Sequence, residues 1–153
     1  MRTPGCHVSS EDSQSAPPFI KNKSEQRLHY RLMHRVYKIL RDDEWRVRYC
    51  RMNGNVALCA KLGLDSDGYV GTVDDERQII YVDFREDVLS TVVHECLHII
   101  IGDRYDASKK AYKAEEAEVQ RLEKMMMQYM SRTQATRLHY LISDRLAPRK
   151  REQ

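Results

Sequence analysis

Two spacings of hydrophobic residues divide the chain into predicted helices and strands. Apolar residues three and four positions apart, or a long apolar run between capping signals, are typical of helices, whereas alternation with polar residues is typical of strands. The predicted helices are 25–41, 84–101, 108–130 and 133–146. The predicted strands are 44–52, 55–62, 69–73 and 78–83. The pattern predicts an α+β fold with a small antiparallel or mixed sheet of about four strands, packed on two of the helices.

Turn and cap residues set several of these boundaries. Asn53-Gly54 is a type I′ turn signal, which predicts that the two strands beside it pair as an antiparallel hairpin. Asp83 and Glu86 have the spacing of a capping box, which would start the next helix near residue 84. Gly102 is the natural residue to end that helix.

The two ends of the chain differ in composition from the middle. Residues 1–24 are rich in Ser, Pro and charged residues, and predict a flexible leader with too little apolar content to pack. Residues 148–153 form a basic tail. The segment between them, 25–147, has the length of a single domain with one modest core.

Composition indicates a cytoplasmic protein. The chain is 41% hydrophobic and 32% charged, and its apolar runs are shorter than the roughly 18 residues that a membrane span requires. The first residues lack the charged and apolar regions of a signal peptide. The four cysteines contain no Cys-x-x-Cys pair, so a zinc ribbon is not expected. Their thiols are expected to be reduced.

Net charge gives only weak support to a nucleic-acid partner. The formal charge is +3, and basic residues concentrate in 41–51 and 145–151. Arg46, Arg48 and Arg51, together with the tail, are the residues that would contact a phosphate backbone. Nucleic-acid binding is therefore the least favoured of the functions considered.

The motif His94-Glu95-x-x-His98 carries the main chemical signal. On a helix, residues four positions apart lie within about 40° of each other, so both imidazoles can bind one metal ion with Glu95 beside them. The spacing matches the zinc-peptidase signature, in which the glutamate is the general base. The motif lies in an apolar run, and buried polar groups need partners. A Zn²⁺ site is predicted, with a hydrogen-bonded core cluster as the alternative.

A catalytic zinc site needs a third protein ligand and one open position. The downstream helix offers three glutamates, Glu115, Glu116 and Glu118. Glu115 and Glu118 are three residues apart and share a face with Leu122, which predicts that this side turns inward. Glu116 is predicted to be solvated.

The motif and the position of Glu118, 24 residues after His94, resemble the gluzincins, which are the thermolysin-type zinc peptidases. The order of elements over about 69–122 is similar to the smallest gluzincins and to ImmA/IrrE-type peptidases. The resemblance implies a zincin-like fold and peptide hydrolysis, with Glu118 as third ligand and Glu95 as base. One departure keeps Glu115 as the alternate ligand: Leu122 stands where an Asp supports a ligand histidine in thermolysin-like enzymes.

Further expectations follow for a peptidase. Tyr140, His139 and Tyr105 are the candidates for stabilising the transition state, and strand 78–83 is a candidate edge for pairing with an extended peptide or protein substrate. The main rival function is a non-catalytic regulatory or binding protein that a metal ion stabilises.

Overall fold

A computed structural model describes residues 21–102 and 109–147, without the side chains of 109–111. The described ranges contain five helices and one sheet of three strands, so the fold is α+β. The helices are α1 (Lys23–Arg41), α2 (Val56–Lys61), α3 (Val88–Ile101), α4 (Lys109–Tyr129) and α5 (Arg132–Asp144). The strands are β1 (Arg46–Cys50), β2 (Gly71–Asp74) and β3 (Ile79–Asp83). The predicted leader, apart from residues 21–24, and the predicted tail lie outside the described residues.

The sheet is mixed, with β3 between the other two strands. β1 runs parallel to β3 and β2 runs antiparallel to it. Every residue of β3 is buried, because both faces of the sheet are covered. Ile80 and Val82 join the main core, whereas Ile79 and Tyr81 join a second, smaller cluster. This two-sided burial explains why the sequence of β3 is almost continuously apolar.

The predicted hairpin is wrong in its second arm. Gly54 does make a turn, with a φ of +82°. The next residue, Asn55, is the N-cap of α2, and its side-chain oxygen accepts the Leu58 N–H at 3.0 Å. The alternating apolar residues of 55–62 therefore belong to a short helix, and β1 pairs with β3 instead. A favourable cap and helix-forming alanines outweigh the alternation here.

The prediction that strand 78–83 is an edge is also wrong. β3 is hydrogen-bonded on both sides, so it cannot accept a further strand. The outer side of β1 is covered as well, because Val47 bonds to the backbone of residues 145 and 147. Among the described residues, β2 is the strand whose outer edge pairs with no other strand.

Helix predictions for α1, α4 and α5 are confirmed to within about two residues at each described end. Asn22 caps α1, where its side-chain oxygen accepts the Ser24 N–H at 2.8 Å. Ser131 and Gln134 form a capping box at the start of α5. None of the helices in the described ranges has the combination of length and apolar character that crossing a membrane requires.

The helix that carries the motif begins later than predicted. Its N-cap is Asp87, whose carboxylate accepts the Ser90 N–H at 3.2 Å, and it ends at Ile101 before Gly102. α3 packs against the sheet and also contacts α1, α4 and α5. Its buried position explains why apolar residues surround the motif on most sides of the helix.

Asp83 does not cap a helix because its carboxylate is used elsewhere. It is buried and accepts hydrogen bonds from the Asn53 backbone N–H at 2.9 Å and from the Arg85 guanidinium at 2.7 Å. Burial alone would raise the pKa of Asp83, but these hydrogen bonds outweigh it and lower the pKa to about 2. The carboxylate thereby ties the end of β3 to the turn that follows β1.

We expect Asp83→Asn to lower the free energy of unfolding by about 1–3 kcal/mol at neutral pH, because charge-assisted hydrogen bonds are lost. Since the folded-state pKa lies below the ordinary value of 3.8, the contribution is complete above that value and disappears as the pH falls towards 2. Urea denaturation at several pH values measures this. Asp75→Asn, at an exposed position, is the matched control. An equal effect of both variants, or a difference that does not shrink in acid, would contradict the assignment.

Candidate metal site

Two histidines of α3 and one glutamate of α4 meet between the two helices. His94 Nε2 lies 3.0 Å from Glu116 Oε1, and His98 Nε2 lies 2.8 Å from Glu116 Oε2. The four-residue spacing of the histidines brings their rings to 5.0 Å between centroids. The three residues each offer a ligand atom, and these atoms lie within 4.8 Å of one another. We call His94, His98 and Glu116 the ligand cluster.

The other nitrogen of each imidazole also faces a carboxylate. His94 Nδ1 donates to Glu123 Oε1 at 2.6 Å, and the second oxygen of Glu123 accepts the Ser90 hydroxyl at 3.0 Å. His98 Nδ1 lies 3.2 Å from Glu115 Oε2. Metal-binding histidines commonly donate their second N–H to a carboxylate, which orients the ring and leaves Nε2 to bind the ion. The ligand cluster has this arrangement at both rings.

The surrounding charges change the acidity of the ligand cluster. Burial lowers the pKa of His98, but the hydrogen bond to Glu116 and the charges of Glu95 and Glu116 outweigh it and raise the pKa above its usual value. Burial raises the pKa of Glu116, but hydrogen bonds from His94 and His98 and their charges hold it well below its usual range. The carboxylate is therefore ionised, as a metal ligand must be.

The donor set fits a divalent cation. Two imidazole nitrogens and one carboxylate oxygen are the ligand types that zinc accepts, and three ligands leave a position open. Three carboxylates, those of Glu115, Glu116 and Glu123, contact the two imidazoles. A metal ion bound between the Nε2 atoms of His94 and His98 would take the place of a proton there. The ligand cluster could therefore hold a metal ion.

Glu116, which was predicted to be solvated, is buried at 4% exposure, so that expectation is wrong. Glu118, the predicted ligand, is not in the ligand cluster and is half-buried. Glu115, the predicted alternate, lies beside His98 and contacts its Nδ1. The structure thus places Glu116 between the imidazoles and Glu115 behind one of them.

The buried face of α4 contains a signal that separates Glu116 and Glu115 from Glu118. That face is centred on Val119, with Leu122 and Met126 beside it. At about 100° per residue, Glu115, Glu116 and Glu123 all lie within about 60° of Val119, whereas Glu118 lies about 100° away. The prediction took Leu122 alone as the reference and therefore placed Glu118, but not Glu116, on the inward side.

Glu95 lies inside the site at 3% exposure. Its charge acts on His98 and on Tyr112, a residue that the sequence analysis missed. Burial and the charges of Glu116 and Glu95 raise the pKa of Tyr112 to about 12. Tyr112 lies one helical turn before Glu116 and interacts with Tyr69, whose hydroxyl donates to Asp65 at 2.7 Å.

Two of the predicted stabilising residues are exposed on α5, and the third lies outside the described residues. Tyr140 is 71% exposed on α5, and His139 is also exposed. Tyr105 belongs to the segment 103–108, which is not described. Tyr112, in contrast, is close enough to Glu116 and Glu95 for both of their charges to act on it.

No family model matches the chain, and no curated protein or solved structure matches it. The resemblance to the gluzincins therefore rests on the motif alone. Glu116 follows His94 by 22 positions, not by the 24 on which that resemblance was based.

We expect Glu116→Ala to abolish stoichiometric zinc binding and Glu118→Ala, two positions away on the same helix, to retain it. We further expect Glu123→Gln to weaken binding by about 10–100-fold, since it loosens the orientation of His94. Bound metal per chain after equilibrium dialysis measures both effects, with circular dichroism as the check on folding. Loss of zinc from Glu118→Ala together with full retention by Glu116→Ala would contradict the ligand assignment.

Proposed function

We propose that this protein is a zinc-dependent peptidase, in which His94, His98 and Glu116 hold the ion and Glu95 is the general base. The observation that carries the proposal is the convergence of both Nε2 atoms on Glu116, with the charge of Glu95 acting on the same site. When bound, zinc supplies Lewis-acid polarisation of a substrate carbonyl and makes water more acidic.

Glu95 performs the proton transfers in this proposal. It follows His94 directly, so its side chain projects from α3 beside the imidazole pair. As a carboxylate, it takes a proton from the attacking water and then passes that proton to the leaving amine. Its burial supports this role, because a low-dielectric setting strengthens its interaction with the developing charges.

Tyr112 is the proposed donor to the oxyanion that forms at the substrate carbonyl. Its raised pKa keeps the hydroxyl protonated at neutral pH, so it can donate a hydrogen bond. The hydroxyl of Tyr69 donates to Asp65 and also interacts with Tyr112, and in this proposal the single hydroxyl proton of Tyr112 turns to the oxyanion when a substrate is bound. This chain of three side chains would position the Tyr112 ring beside the ligand cluster.

The substrate in this proposal is a peptide or protein segment in extended form. β2 offers an edge for it, and Tyr69, two residues before β2, interacts with Tyr112. The Asp83 N–H donates to the Val70 carbonyl, so by alternation Gly71 and Val73 turn their backbone polar groups away from β3. Gly71 is buried and Val73 is half-buried, so in this proposal an added strand pairs at Val73.

A metal-stabilised protein without catalysis is the second candidate function. It is favoured by the deep burial of the site, since His94 is fully buried and Glu95 nearly so. His98 retains a partly exposed side chain, which provides access for a substrate from its side. A zinc-loaded protein that leaves a broad peptide library intact would establish the non-catalytic function.

We expect Glu95→Gln to bind zinc normally and to lose peptide hydrolysis by about 10²–10⁴-fold, because it removes the base and keeps the side-chain shape. Mass spectrometry of a diverse peptide library measures cleavage, and bound zinc is measured on the same samples. Glu118→Gln is the control and should cleave normally. Unchanged hydrolysis in Glu95→Gln would remove Glu95 from the mechanism.

We expect Tyr112→Phe to lower kcat by about 10²–10³-fold with little change in KM, because an oxyanion donor acts mainly in the transition state. Steady-state kinetics on a cleaved peptide separates the two constants. Tyr140→Phe, on the exposed face of α5, should behave like the unmodified protein. An effect on KM alone would make Tyr112 a substrate-binding residue instead.

A further inference from the structure

The outer face of α1 carries a row of exposed basic residues. Four of them are spaced by four residues and form what we call the basic face: Lys23, Arg27, Arg31 and Arg35. Farther along the helix, Lys38 and Arg41 are neutralised by Asp43 and Asp42. Within the described parts of the chain, no ion pair involves a residue of the basic face. The face therefore presents several cations to solvent.

This arrangement is unfavourable for the helix itself. Like charges four residues apart on a helix repel each other, and the basic face contains three such pairs in succession. Lys23 also lies at the N-terminus, where the helix dipole disfavours a positive charge. The basic face therefore lowers the stability of its own helix. Sequences depart from locally favourable choices in this way at functional sites.

The charges of the molecule are separated between helices. The net charge is only +3, yet α1 carries six Lys and Arg residues and a single acidic one, Glu25. The carboxylates that contact the imidazoles are on α4. Because α1 packs on the core through its opposite, apolar side, an anion can reach the basic face without entering the ligand cluster.

We propose that the basic face binds the phosphate backbone of duplex DNA without reading its base sequence. With a rise of about 1.5 Å per residue, the basic residues follow one another about 6 Å apart along a rigid rod. Duplex DNA offers a denser row of charges, about one per 1.7 Å of its axis, and guanidinium groups bind phosphate oxygens in a fork. Arg137 of α5, stacked 4.8 Å from the Tyr37 ring, places a further cation beside α1.

Two other polyanions fit less well. A single-strand binder needs aromatic side chains on which bases stack, and Tyr30 is the only exposed aromatic residue of α1 in the described structure. A membrane-surface helix inserts its apolar side into lipid, but Leu32, Val36 and Leu40 are buried in the core. The proposal does not depend on peptide hydrolysis.

The test is the salt dependence of binding to a labelled random-sequence duplex of about 20 base pairs, between about 50 and 200 mM salt. In Arg27→Gln/Arg31→Gln/Arg35→Gln, the slope of log K against log salt should become shallower by about 2.7, or about 0.9 for each arginine. Zinc content and peptide cleavage should not change. The matched control is Lys61→Gln/Arg121→Gln/Lys124→Gln, which removes the same charge from exposed positions elsewhere and should keep the slope.

A third variant separates charge from folding. Arg27→Lys/Arg31→Lys/Arg35→Lys preserves the charges and should retain most of the slope. The proposal is overturned if the unmodified protein does not bind the duplex at about 50 mM salt, or if the control variant loses as much slope as the arginine variant. Tighter binding to single-stranded DNA or to vesicles containing phosphatidylserine also overturns it, and assigns the basic face to that partner.

Discussion

The burial of two imidazoles and a carboxylate between α3 and α4 is the constraint on which the rest of the structure depends. Polar groups in such a place are costly unless each has a partner. Here the carboxylate of Glu116 faces both Nε2 atoms, and Glu123 and Glu115 face the two Nδ1 atoms. The two helices must therefore keep a single relative register. Any slip between them would separate several polar groups at once in a largely buried place.

The sheet and the connections around it hold α3 in that register. β3 is buried on both faces and leads into α3 after a short turn, so the helix starts from a rigid position. Asp83 fixes that turn through Arg85 and the Asn53 amide. Apolar residues on the remaining sides of α3 pack against the sheet and the neighbouring helices. The candidate metal site thus depends on elements that carry none of its possible ligand atoms.

The parts of the fold that depend on local pattern could be predicted from the sequence. The helices α1, α4 and α5 have long apolar stripes, and the histidine pair is defined by its spacing alone. The helix α2 and the pairing of β1 could not be predicted, because the alternation in 55–62 competes with a cap at Asn55, and the partner of β1 lies some thirty residues away. To predict the third member of the ligand cluster, one must know which face of α4 is turned towards α3. Val119 decides between Glu116 and Glu118, because Glu116 lies closer to it around the helix. That Val119 is buried is known only from the structure.

Ser90 connects the start of α3 to the ligand cluster. Its backbone N–H is capped by Asp87, and its hydroxyl holds Glu123, which in turn orients His94. Ser90 therefore takes part both in the first turn of α3 and in the hydrogen bonds that orient the His94 imidazole. An ion that binds only when His94 is correctly oriented favours the conformations in which this turn is formed. By thermodynamic reciprocity, fraying of the helix end reduces the affinity for the ion, although no ligand atom belongs to that turn.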